Sequence, residues 1–402
     1  MSAVYRGYRP RPANLPLRRG TVDFTDEAGV AAIASLIKDA ELPPVVESAA
    51  EPFVGVTTDG HPVPGLFGTA DEKAPTTSAL EAAQTYLSGL DRDQRGKGLL
   101  PVDSTEWRMW INAFLSFPEH GLLLQELREE QRAAALAVME ASLSAEGFSQ
   151  VREAMRLNGA LGALVDAYHD TLTEHCYWFT LFGEPTADGP WGWQLQGHHI
   201  DLHCFLLGGQ MILTPKFLGA EFHSERLFTD HRARARELMA SLRPRQRDRA
   251  LLHGSMLAAD LPPELAGIVD GRHRAGAGRD NLVLPYQGLG GDQLGPGQRE
   301  LLLTLADTFI TDLPDSPREH RRAQIRRHLG QTHLAWIGSW DENAPFYYRL
   351  HSPVLLAEYD NHPGIFLDND EPEPFHVHTI VRTPNGGDYG KNLLQQHYAN
   401  HH

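Results

Sequence analysis

The chain has 402 residues, 41% hydrophobic and 22% charged, the balance expected of a water-soluble globular protein. Its net charge of −16 repels phosphate backbones, so nucleic acid is not an expected partner. No apolar run approaches the roughly 18 residues of a membrane span, and the basic N-terminus lacks the apolar core of a secretory signal, so a cytoplasmic protein away from membranes is expected.

The Pro- and Arg-rich residues 1–24 read as an extended arm that could mediate homo-oligomer contacts; residues 25–402 read as one large domain. Its helical part covers about 25–174. Helical spacing of apolar residues predicts helices at 25–41, 78–90 and 104–117, then along GLLLQELREEQRAAALAVMEASLS and SAEGFSQVREAMRLNGALGALVDAYHDTL. The fragment PFVGVTTDGHPVPGLF reads as a short hairpin around Asp59-Gly60.

Near residue 175 the period changes to that of strands. CYWFTLFGEP, WGWQLQ, HHIDLHCFLL and QMILTPKFLG form a first strand block, about 175–222. Helices return from Ser224 to about Leu329. THLAWIGSW, PFYYRLHSP, VLLAEYD and HVHTIVR form a second block, about 332–382, and GKNLLQQHYANHH closes the chain as a helix. The expected fold is α+β, with a mostly helical N-terminal half and a central antiparallel sheet built from both blocks and flanked by helices. The two cysteines, Cys176 and Cys204, lie in apolar segments and read as buried free thiols.

Histidine is abundant, at 21 residues, and two clusters stand out. Read as a strand, HHIDLHCFLL sends Ile200, Leu202 and Cys204 to one face and His199, Asp201 and His203 to the other, while His198 points away from that polar set. In HVHTIVR, His376 and His378 share a face. Paired imidazoles at this spacing can hold one metal ion, and imidazole suits iron, copper and zinc. Glu358 in VLLAEYD is a candidate ligand or base. Arg349 and Arg382, at strand ends, are candidate clamps for an anionic group. There is no P-loop, no G-x-S-x-G elbow and no H-E-x-x-H.

The motifs EWRMWIN, WGWQLQGHH, TPKFLGAEF, YYRLHSPVLLAEYD and HVHTIVRTPNGGDYGKNLL are similar to those of the family catalogued as domain of unknown function 3500, found in bacteria and fungi. The resemblance runs from about residue 52 to 398 and implies no mechanism. His198, His199, His376, His378, Arg382 and the Asp388-Tyr389-Gly390 turn match the family's pattern. His203 departs from it, standing where a smaller polar residue is usual.

The expectation is a metal-dependent enzyme acting on a small organic, anionic molecule. His199, His376 and His378 are the core ligands, His203 or Glu358 completes the shell, and His198 serves as acid, base or support. Iron or copper redox chemistry is favoured. A zinc hydrolase, metal-free acid–base catalysis by His198 and His199, and a non-catalytic metal- or ligand-binding protein are the alternatives.

Overall fold

The computed structural model describes residues 42–112, 120–165, 168–222, 224, 226–267, 271–364, 366 and 371–401. The arm at 1–24 and the helix expected at 25–41 lie outside these residues. Helix α1 (Thr76–Ser88) buries Ala79, Ala83, Tyr86 and Leu87 on one stripe. Helix α2 (Glu129–Ser142) packs against it, and α3 (Ala145–Val165) buries Val151, Ala154, Met155, Asn158 and Leu161 at the same spacing. Helices α4 (Thr229–Ser241), α5 (Pro296–Asp307) and α6 (Asp315–Arg327) lie between the strand blocks, and α7 (Lys391–His401) ends the chain. No described helix is long and apolar enough to cross a membrane.

All eight expected strands form: β1 (Tyr177–Phe182), β2 (Pro190–Gly197), β3 (Ile200–Leu207), β4 (Lys216–Ala220), β5 (His333–Gly338), β6 (Phe346–His351), β7 (Leu356–Asn361) and β8 (Val377–Arg382). They are neighbours in the order β1-β2-β3-β4-β8-β7-β6-β5, every pair antiparallel. The two blocks therefore meet at the β4–β8 pair, as the α+β expectation requires. Five short strands complete a thirteen-stranded sheet among the described residues, and two of them, Leu99–Leu100 and Leu251–His253, add in parallel, so the sheet is mixed.

Three segments differ from expectation. The hairpin expected around Asp59-Gly60 does not form; the segment makes one isolated bridge, Thr57 to Val283. Of the helix expected over 104–117, residues 113–117 lie outside the described residues, and over 104–112 only Thr105–Arg108 makes a turn, of the 3-10 kind. Tertiary contacts outweigh propensity there. Trp107 stacks on Phe182, and Arg108 is drawn to Asp280 and to the carbonyls of Ser48, Ala49 and Glu51. QMILTPKFLG splits into Gln210–Ile212, which pairs with β3, and β4. Pro215, without an N–H to donate, sits at the break.

The sheet is buried on both faces, and the faces differ in chemistry. One carries the stacked rings of Trp336, Phe346, Tyr348 and Tyr359. On the other, alternation and register align Gln194 and Gln196, Asp201 and His203, His378 and Arg382, Glu358 and Asp360, then Tyr347 and Arg349. All ten are buried. Dehydrated charge of this kind must be paired internally. Arg382 donates from Nη1 to Asp280 Oδ1 (2.8 Å) and Asp388 Oδ2 (3.3 Å), and from Nε and Nη2 to the carbonyls of Ala275 and Gly276. Asp280 also accepts from Arg108 Nε at 2.7 Å and from the Tyr389 hydroxyl at 2.9 Å. Burial pushes Asp280 up, but the two guanidiniums outweigh it and hold its carboxyl below the usual range.

Removing the central cation would leave two buried carboxylates without their shared partner. Arg382→Met should lower the unfolding free energy by about 3–5 kcal/mol in urea denaturation. A loss below about 1 kcal/mol would show that the network is not a stabilising unit.

Candidate metal centre

The site is built at the β4–β8 seam. Gly197 pairs with Ile200, so His198 and His199 are the two loop residues of the β2–β3 hairpin rather than part of β3. His199 has φ +66°, a left-handed conformation uncommon for residues other than glycine and often retained where function needs it. The Gly219 N–H donates to the His199 carbonyl at 2.8 Å and ties the hairpin to β4. On the far side of β4, His378 is registered against Gly219. A Cβ at Gly219 would lie 2.9 Å from His378 Cδ2 and 3.1 Å from His199 Cδ2. The missing side chain is therefore what lets two imidazoles approach over the same strand. His376 immediately precedes β8 and completes the group.

The Nε2 atoms of His376 and His378 are 3.0 Å apart, and those of His376 and His199 are 3.4 Å apart. One nitrogen from each of the three rings lies within 4.8 Å of the other two. All three rings are at most 5% exposed. Burial, then the neighbouring imidazoles, holds each well below the usual histidine range, so all three are neutral. Neutral imidazoles have one hydrogen and one lone pair between two nitrogens. His376 Nε2 faces two other nitrogens and cannot satisfy both contacts by donating one hydrogen. A shared cation removes the conflict. Nitrogens about 2.0–2.1 Å from a tetrahedral metal ion lie roughly 3.4 Å from one another, close to the spacing seen here. His378 Nδ1 makes no hydrogen bond among the described residues. The donor set, three nitrogens with no sulfur, suits iron, copper or zinc.

Residues 72–391 match the family described as protein of unknown function, DUF3500. The chain belongs to that family. No curated protein and no solved structure matches this DUF3500 chain.

The other residues expected at the centre lie elsewhere in the DUF3500 fold. His203 is not a ligand of this group, because both ring nitrogens are engaged: Nδ1 donates to the Pro215 carbonyl (2.8 Å) and Nε2 accepts from Gln194 Nε2 (2.8 Å). Its burial pushes it down to about 3. Glu358 accepts from the backbone N–H groups of Arg274 and Ala275 and from the Tyr347 hydroxyl (2.6 Å), which makes it an anchor for the 272–277 loop. Arg349 donates to the Tyr347 hydroxyl and to Gln287 Oε1, and Arg382 is bound as described above, so neither guanidinium is directed at the triad. His198 does not point away from His199. The hairpin turn breaks strand alternation, and the two rings stack at 3.8 Å and 26°. His198 Nδ1 donates to Asn158 Oδ1 at 2.7 Å; the Asn158 amide is oriented by its own bond to the Thr173 carbonyl. Burial pushes His198 down to about 3, so its stacked ring is neutral.

Two neighbours escaped the sequence reading. His362 stacks on His378 at 4.4 Å, and its Nδ1 lies 3.3 Å from Asp360 Oδ2. Arg272 stands against the same carboxylate. His273, also buried, has its ring 6.2 Å from that of His378. The signal for His362 was present: Glu358, Asp360 and His362 continue one alternating face past the strand end.

Gly219→Ala should push the two imidazoles apart. The metal affinity of the purified protein is expected to fall about 10- to 100-fold, the range seen when residues behind metal ligands are changed. The melting temperature of the metal-free protein serves as the folding control. Unchanged affinity in a folded variant would show that the close approach at Gly219 does not set the site.

Proposed function

We propose that this protein is a metal-dependent enzyme acting on a small organic molecule, with His199, His376 and His378 as the ligands. The observation that carries the reading is the convergence of three buried, neutral Nε2 atoms in contacts that one hydrogen cannot satisfy. Three protein ligands leave positions open for water or substrate, the usual arrangement of a catalytic rather than a closed structural site.

Iron or copper is favoured, and bound at such a site it would supply redox chemistry with oxygen. The surroundings support redox chemistry over zinc-assisted hydrolysis. Hydrolysis gains from an ionised carboxylate acting as base beside the ion. Here Glu358 is saturated by three donors, Asp360 stands against Arg272 and His362, and burial pushes the Asp201 carboxyl up, against its ionised form. The chain's own residues have three tasks. The triad binds through lone pairs kept free of protons by burial. His198 and Asn158 hold the His199 ring in place. The low-dielectric wall around the histidines excludes water and strengthens electrostatic contacts with whatever enters.

Protein purified without a nickel column should carry close to one iron or copper ion per chain by elemental analysis, or take it up on addition. A His376→Ala, His378→Ala double variant should lose it. Less than about 0.2 metal per chain, with no gain on adding iron, copper or zinc, contradicts the reading, because a buried triad without an ion would leave the nitrogen contacts unresolved. Zinc at full occupancy with no oxygen uptake in the presence of reductant would select the hydrolase instead.

A further inference from the structure

The polar face of the sheet leaves several buried atoms without hydrogen-bond partners, and a group of them lies beside the triad. Asp201 of β3 is fully buried, and neither of its carboxyl oxygens is bonded among the described residues. It is registered against Gln196 on β2 and against Phe217 on β4. The Phe217 ring in turn stands 5.1 Å from that of His378, so Phe217 spans the gap between Asp201 and the triad.

A hydrogen-bond chain sets what the next residues can offer. The Pro215 carbonyl only accepts, so His203 holds its hydrogen on Nδ1 and accepts at Nε2 from the Gln194 amide. That turns the Gln194 oxygen to His120 Nε2, 2.7 Å away, which must donate to it. Burial lowers His120, so the ring is neutral and its one hydrogen is engaged there. His120 Nδ1 is then a buried lone pair with no donor among the described residues. Gln196 Nε2 lies 3.2 Å from His120 Nε2, which has no lone pair to receive it, and Gln196 Oε1 is unbonded. Turning the Gln196 amide over would give Asp201 at most one donor. The second carboxyl oxygen and His120 Nδ1 would still have none.

Buried acceptors without donors call for a ligand that brings donors. The guanidiniums at this face offer little to an anion. Arg349 and Arg382 are bonded as described above, and Arg272 faces Asp360 and the Met256 carbonyl, with Nε unbonded.

We propose that Asp201, Gln196 and His120 hold the end of the substrate remote from the ion, and that this end carries hydrogen-bond donors, a hydroxyl or an amine, in place of a carboxylate or phosphate. The proposal rests on the triad as the reacting centre and adds the class of molecule that reaches it.

Isothermal titration calorimetry of the full chain under nitrogen, with metal content measured on the same sample, tests it. Tyramine, tyrosol and 4-hydroxyphenylacetate serve as probes, one phenol skeleton ending in an amine, a hydroxyl or a carboxylate. Tyramine or tyrosol should bind with a dissociation constant at or below about 1 mM, and 4-hydroxyphenylacetate about tenfold or more weakly. Whichever of the first two binds tighter identifies the donor as amine or hydroxyl. Asp201→Asn, which exchanges one oxygen for an amide donor, should narrow the gap to the carboxylate probe about tenfold, with metal content unchanged. If that variant does not fold, the ranking in the unaltered chain decides. Binding of none of the probes, equal or tighter binding of the carboxylate, or a folded Asp201→Asn protein with the ranking intact would each overturn the proposal. In a metal-loaded chain that result removes the subsite alone. A metal-free chain that still prefers the amine or hydroxyl counts against the metal reading and not against the subsite.

Discussion

A sheet buried on both faces, with one face polar, sets the terms for the rest of this fold. Carboxylates, guanidiniums and imidazoles on that face have left water, and each needs a partner supplied by the chain. The loop at 272–280, the Asp388-Tyr389-Gly390 turn and the 104–112 segment all serve that need. Arg382 is shared between Asp280, Asp388 and two carbonyls; Glu358 collects two backbone donors and a phenol. Such pairing does not by itself add much stability relative to an apolar core. It does fix where the connecting segments lie, because each must present a particular donor or acceptor at a particular strand position.

Against that background the histidine triad stands out. His203, on the same face, has both ring nitrogens engaged by protein, between Pro215 and Gln194. At the seam of β4 and β8, three rings are instead turned toward one another. The turn that does this carries His199 at positive φ, where asparagine or glycine is the usual choice, and the strand between the rings carries glycine where any side chain would keep them apart. A strained residue and a missing Cβ both serve one outcome, the approach of nitrogens that repel unless something positive lies between them. Asp201 is among the other groups on the face with unbonded atoms: neither carboxyl oxygen is bonded among the described residues, and burial pushes its carboxyl up.

Much of this was legible in the sequence, and the failures have physical causes. The eight strands could be read as short aromatic and β-branched runs separated by Gly and Pro, and the polar face from alternation along them. The pairing of GHHIDLH with HVHTIVR could be suspected from chemistry alone, but which strands adjoin depends on contacts far apart in the chain. His198 was misplaced because Gly-His-His-Ile lacks the Asn-Gly or Asp-Gly signature of a two-residue turn, so strand alternation was carried one residue too far. His203 follows the alternation correctly and still fails as a ligand. It lies four residues past His199, about 13 Å along an extended chain, enough to move its ring into the Gln194–Pro215 contacts. Arg349, Arg382 and Glu358 looked available because a sequence shows charges without showing their partners. Over 104–112 the expected helix gave way to the packing of Trp107 and the pull of Asp280 on Arg108, both tertiary effects.

The central claim is that His199, His376 and His378 bind one ion together. X-ray absorption at the edge of the metal carried by the purified protein reads this most directly. The account predicts nitrogen or oxygen scatterers at about 2.0–2.1 Å, with the multiple-scattering signature of three imidazoles. Sulfur in the shell at about 2.3 Å, or a signature of fewer than two imidazoles, would contradict it.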